Sequence, residues 1–231
     1  MMKKLPLLLV LLTLSACSVP VDAPPPPTAL ITATPPPSLT PAETFTPIPA
    51  LTAIPTPTAT SAPPAAPAFC DDPRPRELIQ SLQTAVQTKD GALLASLVSP
   101  ASGMDVTYIR NGNVVNYDVE HARFVFETTF QAEWGLGAGS GLPVKGSFQE
   151  IILPSLQQVF TPGAVLACKE LKTGGVTYVP EWIYPDMNYY SVHFPGTEQY
   201  GGLDWQTWAV GMERVDEKLY IAALVHYEWE P

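Results

Sequence analysis

Leu219-Tyr220-Ile221-Ala222-Ala223-Leu224-Val225-His226-Tyr227-Glu228-Trp229 is rich in β-branched and aromatic residues, the types that fit a pleated, half-buried surface. Successive strand residues point to opposite sides. Simple alternation therefore places Leu219, Ile221, Ala223, Val225, Tyr227 and Trp229 on one face, and Tyr220, Ala222, Leu224, His226 and Glu228 on the other. The stretch before it divides the same way, with Trp208, Val210 and Met212 opposite Trp205, Thr207 and Ala209. Earlier still, Tyr190, Val192 and Phe194 oppose Tyr189, Ser191 and His193. The sheet this predicts has one apolar face and one mixed aromatic and polar face.

Working outward, Val165–Leu171, Val176–Val179, Met187–Phe194 and Trp205–Met212 all favour strand. The amino-terminal half reads differently. Asp71 or Asp72 before Pro73-Arg74-Pro75 opens a helix in which Leu78, Leu82, Ala85 and Val86 recur at helical spacing. Asp90-Gly91 interrupts it, and Leu93, Leu94, Leu97 and Val98 make a second, shorter helix before Pro100. Met104–Ile109 and Val114–Tyr117 flank the turn Asn111-Gly112-Asn113 and predict a hairpin. Asp118 caps a predicted third helix carrying Val119, Ala122, Phe126 and Phe130. Residues 134–143 read as a glycine-rich loop. Ser147 and Glu150 form a capping box for a helix kinked at Pro154.

This order, a long amphipathic helix, a short one, a hairpin, another helix and then long antiparallel strands, resembles the nuclear transport factor 2-like, SnoaL-like cone. Leu78–Val98 with its Asp90-Gly91 break and the terminal hairpin over Glu213–His226 carry the likeness, which covers most of 74–229. The resemblance implies an α+β domain with amino-terminal helices packed on a curved, mainly antiparallel, cone-like sheet. That fold hosts isomerases, dehydratases and non-catalytic modules alike, so it transfers no activity. The helix at 147–160 and the long loops at 134–146 and 172–186 depart from the pattern.

Upstream of the domain, Lys3 and Lys4 precede a short apolar run from Leu5 to Leu14, the arrangement of a secretory signal. About ten apolar residues are too few to span a bilayer as a helix. Leu14-Ser15-Ala16-Cys17 resembles the lipobox of bacterial lipoproteins, which implies cleavage after residue 16, acylation of Cys17 and a membrane anchor on the extracytoplasmic face. Two or three acyl chains hold a protein at a membrane persistently, where one is marginal. Residues 17–68 then form a proline- and threonine-rich linker that cannot build a core. It reads as a disordered stalk of extended polyproline character; a Pro-x-x-Pro docking ligand and a glycosylated segment are the alternatives. The globular domain is predicted over 69–231.

The formal net charge is −10, and Lys3 and Lys4 offset Asp22 and Glu43, so the domain carries all of it. That balance disfavours nucleic acid and contact with anionic lipid, and it opposes self-association, so a monomer is expected. Of the three cysteines, Cys17 is assigned to lipid. Cys70 and Cys168 read either as a disulfide, the usual state of a pair in an exported protein, or as two buried thiols.

No motif names a cofactor or a metal. The run Gly135-Leu136-Gly137-Ala138-Gly139-Ser140-Gly141 has no register that fits a dinucleotide fingerprint, and Lys145-Gly146-Ser147 has phosphate-loop letters in the wrong order. His121, His193 and His226 stand in no ligand pattern. The one constellation for acid–base chemistry is His193 and His226 on the mixed face, with Tyr189, Tyr220, Glu228 and Asp204 nearby. The bland alternative is a set of side chains satisfied by backbone or water. Two function classes remain: a tethered, non-catalytic module binding a small apolar ligand, a glycan or a peptide through aromatics such as Trp134, Trp182, Tyr184, Tyr189 and Tyr190, and a SnoaL-like enzyme (isomerase, dehydratase or hydrolase). Replacing Cys17 by Ser should move the protein from the membrane to the soluble fraction on cell fractionation. Retention at the membrane after normal leader cleavage would assign the anchor to something other than lipid.

Overall fold

The structure is a computed structural model that describes residues 68–231. The leader, Cys17 and the proline-rich tract lie outside the described residues. Asp72, 3% exposed, starts the first helix by accepting from the Arg74 backbone N–H at 3.0 Å while pairing with the Arg74 guanidinium. Helix α1, Arg74–Thr88, buries Leu78, Ile79, Leu82, Ala85 and Val86, one stripe at the 3.6-residue period. It ends at Lys89 in the left-handed conformation, and the Asp90 side chain caps α2, Gly91–Leu97, by accepting from Leu93 N–H at 2.9 Å.

Strands β1, Met104–Thr107, and β2, Val114–Tyr117, form the expected hairpin. The third helix departs from expectation. Helix α3, Val119–Ala122, has only four residues, after which tight turns carry Phe124 and Thr128. Phe124-Val125-Phe126 and Thr128-Thr129-Phe130 are aromatic and β-branched residues of weak helix propensity, and the chain buries Val125 and Phe126 from turns while Phe124 and Phe130 stay exposed. The glycine-rich region is likewise a hairpin rather than a loop, with β3, Ala132–Leu136, paired to β4, Pro143–Gly146. Gly137, Gly139 and Gly141 occupy the tip, and the fully buried Trp134 donates its indole N–H to the Gly146 carbonyl at 3.0 Å.

The capping box at Ser147 and Glu150 is present, and the kinked helix is a π turn at Phe148–Ile152 running into α4, Leu153–Val159. Pro154 has no amide donor for an ordinary turn there, and the wider ring before it accommodates the loss. Strands β5, Val165–Cys168, β6, Asn188–Phe194, β7, Gln206–Val215, and β8, Lys218–Glu228, complete a six-stranded sheet in the order β2-β1-β8-β7-β6-β5. All neighbours are antiparallel except β1 and β8. The fold is α+β, with helices against a mainly antiparallel sheet.

The register contains a bulge that alternation cannot show. Gly211 pairs with Ala223 but Met212 pairs with Ile221, so Ala222 is an extra residue in β8. Faces therefore reverse along that strand. Leu219 and Ile221 belong to the helix-side core together with Leu224, while Val225 and Tyr227 join a second core on the opposite face with Tyr189, Trp205 and Ala209. Residues 169–187 cross this opposite face as an irregular strap, contributing Leu171, Val176, Trp182 and Tyr184. Val176–Val179, predicted as a strand, is part of that strap and joins no sheet.

Cys70 and Cys168 are joined, with Cα atoms 5.8 Å apart and 98 residues of separation. The bridge ties the segment before α1 to the edge strand β5. A loop of that size is worth about 4–5 kcal/mol in the chain-entropy picture. A protein starting at Phe69 should melt in one cooperative transition and show no titratable thiol when denatured without reductant. Replacing both cysteines by Ala should lower its midpoint by roughly 10 °C in calorimetry.

Candidate functional site

The two strand histidines do not meet. The bulge at Ala222 turns His226 to the helix side, whereas His193 lies on the strap side, so the acid–base pair expected from alternation is separated by the sheet itself. His226 is 2% exposed and stacks on Tyr108 with ring centroids 4.7 Å apart. Its Nδ1 faces the Tyr108 carbonyl at 3.1 Å; a carbonyl only accepts, so the ring proton resides on Nδ1. Nε2, left as an acceptor, lies 3.3 Å from Gln206 Oε1, which is itself an acceptor and takes the Ser155 hydroxyl proton at 2.5 Å, and Ser155 in turn accepts the Trp208 indole N–H at 2.9 Å. Burial, slightly opposed by the Tyr108 carbonyl, pulls the His226 pKa down to about 4.

His193 serves the strap. Thr207 donates its hydroxyl proton to the Lys172 carbonyl at 2.6 Å and accepts from His193 Nδ1 at 2.8 Å. Burial, with a smaller contribution from Lys172, holds this imidazole below its ordinary pKa. The other candidates have structural partners as well. Tyr189 stacks on Trp182 at 4.5 Å, Tyr220 lies beneath the Lys218 ammonium at 4.6 Å, and Asp204 accepts from the backbone and hydroxyl of Thr197. Glu228 shares the helix-side face with His226 and Gln206, and burial, reinforced by Glu230, raises its pKa. Trp134, Tyr189 and Tyr190 are buried packing residues, which corrects their reading as exposed ligand-binding aromatics.

The polar residues on the strap face have a common task. Ser191, Thr207, Trp205 and Tyr227 donate to the carbonyls of Glu170, Lys172, Gly175 and Glu181. In the reverse direction Thr177 and Tyr178 donate to the carbonyls of Glu230 and Glu228, and Tyr184 donates to Asp105. A segment without regular structure thus finds partners for its buried backbone groups. Close approach requires glycine twice: a Cβ on Gly174 would fall 2.2 Å from the Trp205 ring, and one on Gly211 would fall 2.5 Å from Met187 Sδ.

Between strap and sheet lies a cavity of about 420 Å³, within the range of small-molecule sites. Its floor includes Thr107 and Val114, and Tyr178, Val179 and Ile183 of the strap form a wall. Val179 is 81% exposed, and Val114 and Ile183 are about half exposed, so the mouth has an apolar patch beside the exposed polar residues Asn111 and Glu181. Arg110 closes one end, donating to Glu230 from both Nε and Nη2 and lying 4.4 Å from the centroid of the Tyr178 ring. Thr107 is 6% exposed and its hydroxyl has no hydrogen-bond partner. The Tyr184 phenol is close enough to influence it, but the geometry does not complete a bond.

Sequence reasoning missed Thr107, Arg110, Tyr178 and Val179. A threonine in a strand and a valine in a loop carry no local mark of a cavity. Among the described residues no group of three or more His, Cys, Asp or Glu side chains is placed to hold a metal ion, and no helix is long and apolar enough to cross a membrane.

No family model matches the chain, and no curated protein does. Among solved structures it is similar to a protein named Rd1NTF2_05, at 10% identity and a TM-score of 0.34, over 66% of this chain and 95% of that one.

His226 should make stability depend on pH. Its folded pKa lies below the ordinary imidazole value of about 6.5, so its contribution is complete above that value and is lost as pH falls toward 4. Between pH 7 and 5 the loss from this residue is about 2 kcal/mol. Urea titrations at the two pH values should give His226→Gln a smaller pH-dependent loss by that amount.

Proposed function

We propose that the chain is a surface-tethered, non-catalytic binding module: lipid on Cys17 holds it to the extracytoplasmic face of a bacterial membrane, the proline-rich stalk spaces it from the lipid, and the domain takes a small apolar ligand. The observation that carries this reading is the strap-side cavity, whose mouth of Val114, Val179 and Ile183 leaves apolar surface in water that a ligand would cover. Its size suits a small molecule better than a glycan or an extended peptide. The acidic net charge supports a monomer without nucleic acid partners.

The alternative, SnoaL-like acid–base chemistry, loses its motivating pair because His193 and His226 occupy opposite faces and bond to Thr207 and the Tyr108 carbonyl rather than to a carboxylate. A thermal-shift screen of small apolar compounds on the mature chain carrying Cys17→Ser tests the binding reading. A ligand at a hundred times its Kd should stabilise the native state by about 2.7 kcal/mol. Val179→Glu combined with Ile183→Glu alters only exposed or half-exposed positions, and should leave the unliganded midpoint nearly unchanged while abolishing the shift. Hits whose shift survives both substitutions would place binding elsewhere.

A further inference from the structure

The floor of the strap-side cavity specifies more than an apolar occupant. Thr107 sits on β1 opposite Val114 of β2 and Val225 of β8, so its hydroxyl lies among Val114, Val225 and Tyr227 in a cavity that Asn111, Gly112 and His226 also line. It is buried, yet neither donates nor accepts a hydrogen bond. The neighbouring phenols give their protons elsewhere, Tyr184 to Asp105 Oδ2 at 3.0 Å, Tyr227 to the Glu181 carbonyl at 2.7 Å and Tyr178 to the Glu228 carbonyl at 3.0 Å, and none of their oxygens stands in hydrogen-bond geometry to accept from Thr107. A buried hydroxyl without a partner is destabilising, and valine would fill the same volume without that cost. The position makes physical sense if a ligand supplies the missing partner.

The charges around the cavity restrict that ligand further. Arg110, the cation at its end, is already balanced by Glu230. Glu181 adds a carboxylate at the rim, and the chain as a whole is acidic. An anionic group would therefore have to displace Glu230 from Arg110 or lie beside Glu181 without a counterion. A hydrocarbon would leave Thr107 unsatisfied. Resting on the binding reading above, we propose that the ligand is a small, neutral, largely apolar molecule bearing one ketone or hydroxyl oxygen, which docks against Thr107 while its apolar body lies between the strap and strands β1 and β8.

Three probes of common shape separate the possibilities: naphthalene, 2-acetylnaphthalene and 2-naphthoate. Their affinities would be measured by fluorescence or calorimetric titration of the mature chain carrying Cys17→Ser. The ketone should bind about tenfold more tightly than the hydrocarbon, the difference expected for one well-formed hydrogen bond in a buried site. The carboxylate should bind no better than the hydrocarbon. Thr107→Val should remove the tenfold advantage of the ketone, leave naphthalene affinity unchanged and raise the unliganded melting temperature, which separates loss of recognition from loss of fold. If ketone and hydrocarbon bind wild type equally, or if Thr107→Val affects both alike, the assignment to Thr107 is overturned while cavity binding stands. If the carboxylate binds most tightly, the neutral-ligand class is overturned. If none of the three binds, or if binding is indifferent to Val179→Glu with Ile183→Glu, the cavity reading fails and this inference fails with it.

Discussion

The extra residue in β8 is the constraint on which the arrangement of this domain turns. Side chains alternate along a strand with a period of two, so one inserted residue moves everything beyond it to the opposite face. With Ala222 unpaired between Ile221 and Ala223, Ile221 and Leu224 both reach the helix-side core, and Val225 and Tyr227 face the strap. Without the bulge, Leu224 would leave the core beneath the helices and His226 would join His193 on the other face. Gly211, across from the bulge, leaves room for Met187 and Trp182 to pass over the sheet. Sheet geometry and strap placement are thus settled at one place in the β7–β8 hairpin.

The strap explains why this sheet is apolar on one side and mixed on the other. A face packed by a helix can be purely apolar, because a helix satisfies its own backbone. The irregular segment 169–187 cannot do so, and its carbonyls require donors from whatever lies beneath. Serine, threonine and tyrosine on β6, β7 and β8, with Trp205 just before β7, provide them, and His193 supports the Thr207 link from behind. Polar groups that look in sequence like a reactive surface therefore act here as a binding surface for the protein's own chain. The Thr107 hydroxyl is not engaged in this way, which is why the cavity above it stands apart from the rest of the strap interface.

On the helix side, Trp208, Ser155, Gln206 and His226 form a connected set of buried polar contacts that joins α4 to the two longest strands. Polar groups can be this deeply buried when their bonds are made, and the same burial disfavours a charged imidazole. His226 is accordingly a neutral structural residue at ordinary pH, and its pKa near 4 follows from where the bulge places it.

Much of the architecture was legible in the sequence because it depends on local rules. The apolar stripe of α1, the Asp90 cap, the hairpin around Asn111-Gly112-Asn113, the capping box at Ser147 and the late run of strands are each set by residues a few positions apart. The Leu14-Ser15-Ala16-Cys17 tetrapeptide, the proline-rich composition that follows it and the acidic balance are likewise properties of sequence alone. What alternation could not supply was the register shift at Ala222, since nothing in Ile221-Ala222-Ala223-Leu224 marks which alanine is extra. Periodicity also misjudged Val119–Phe130, where the apolar residues are buried from turns, and 134–143, where glycines obscured a hairpin. The disulfide needed the fold to bring residues 98 positions apart within reach. The cavity needed it most: Thr107, Arg110 and Val179 become one site only because a strap without periodic sequence lies across strands assembled from both ends of the domain, and long-range packing of that kind leaves no trace in local residue order.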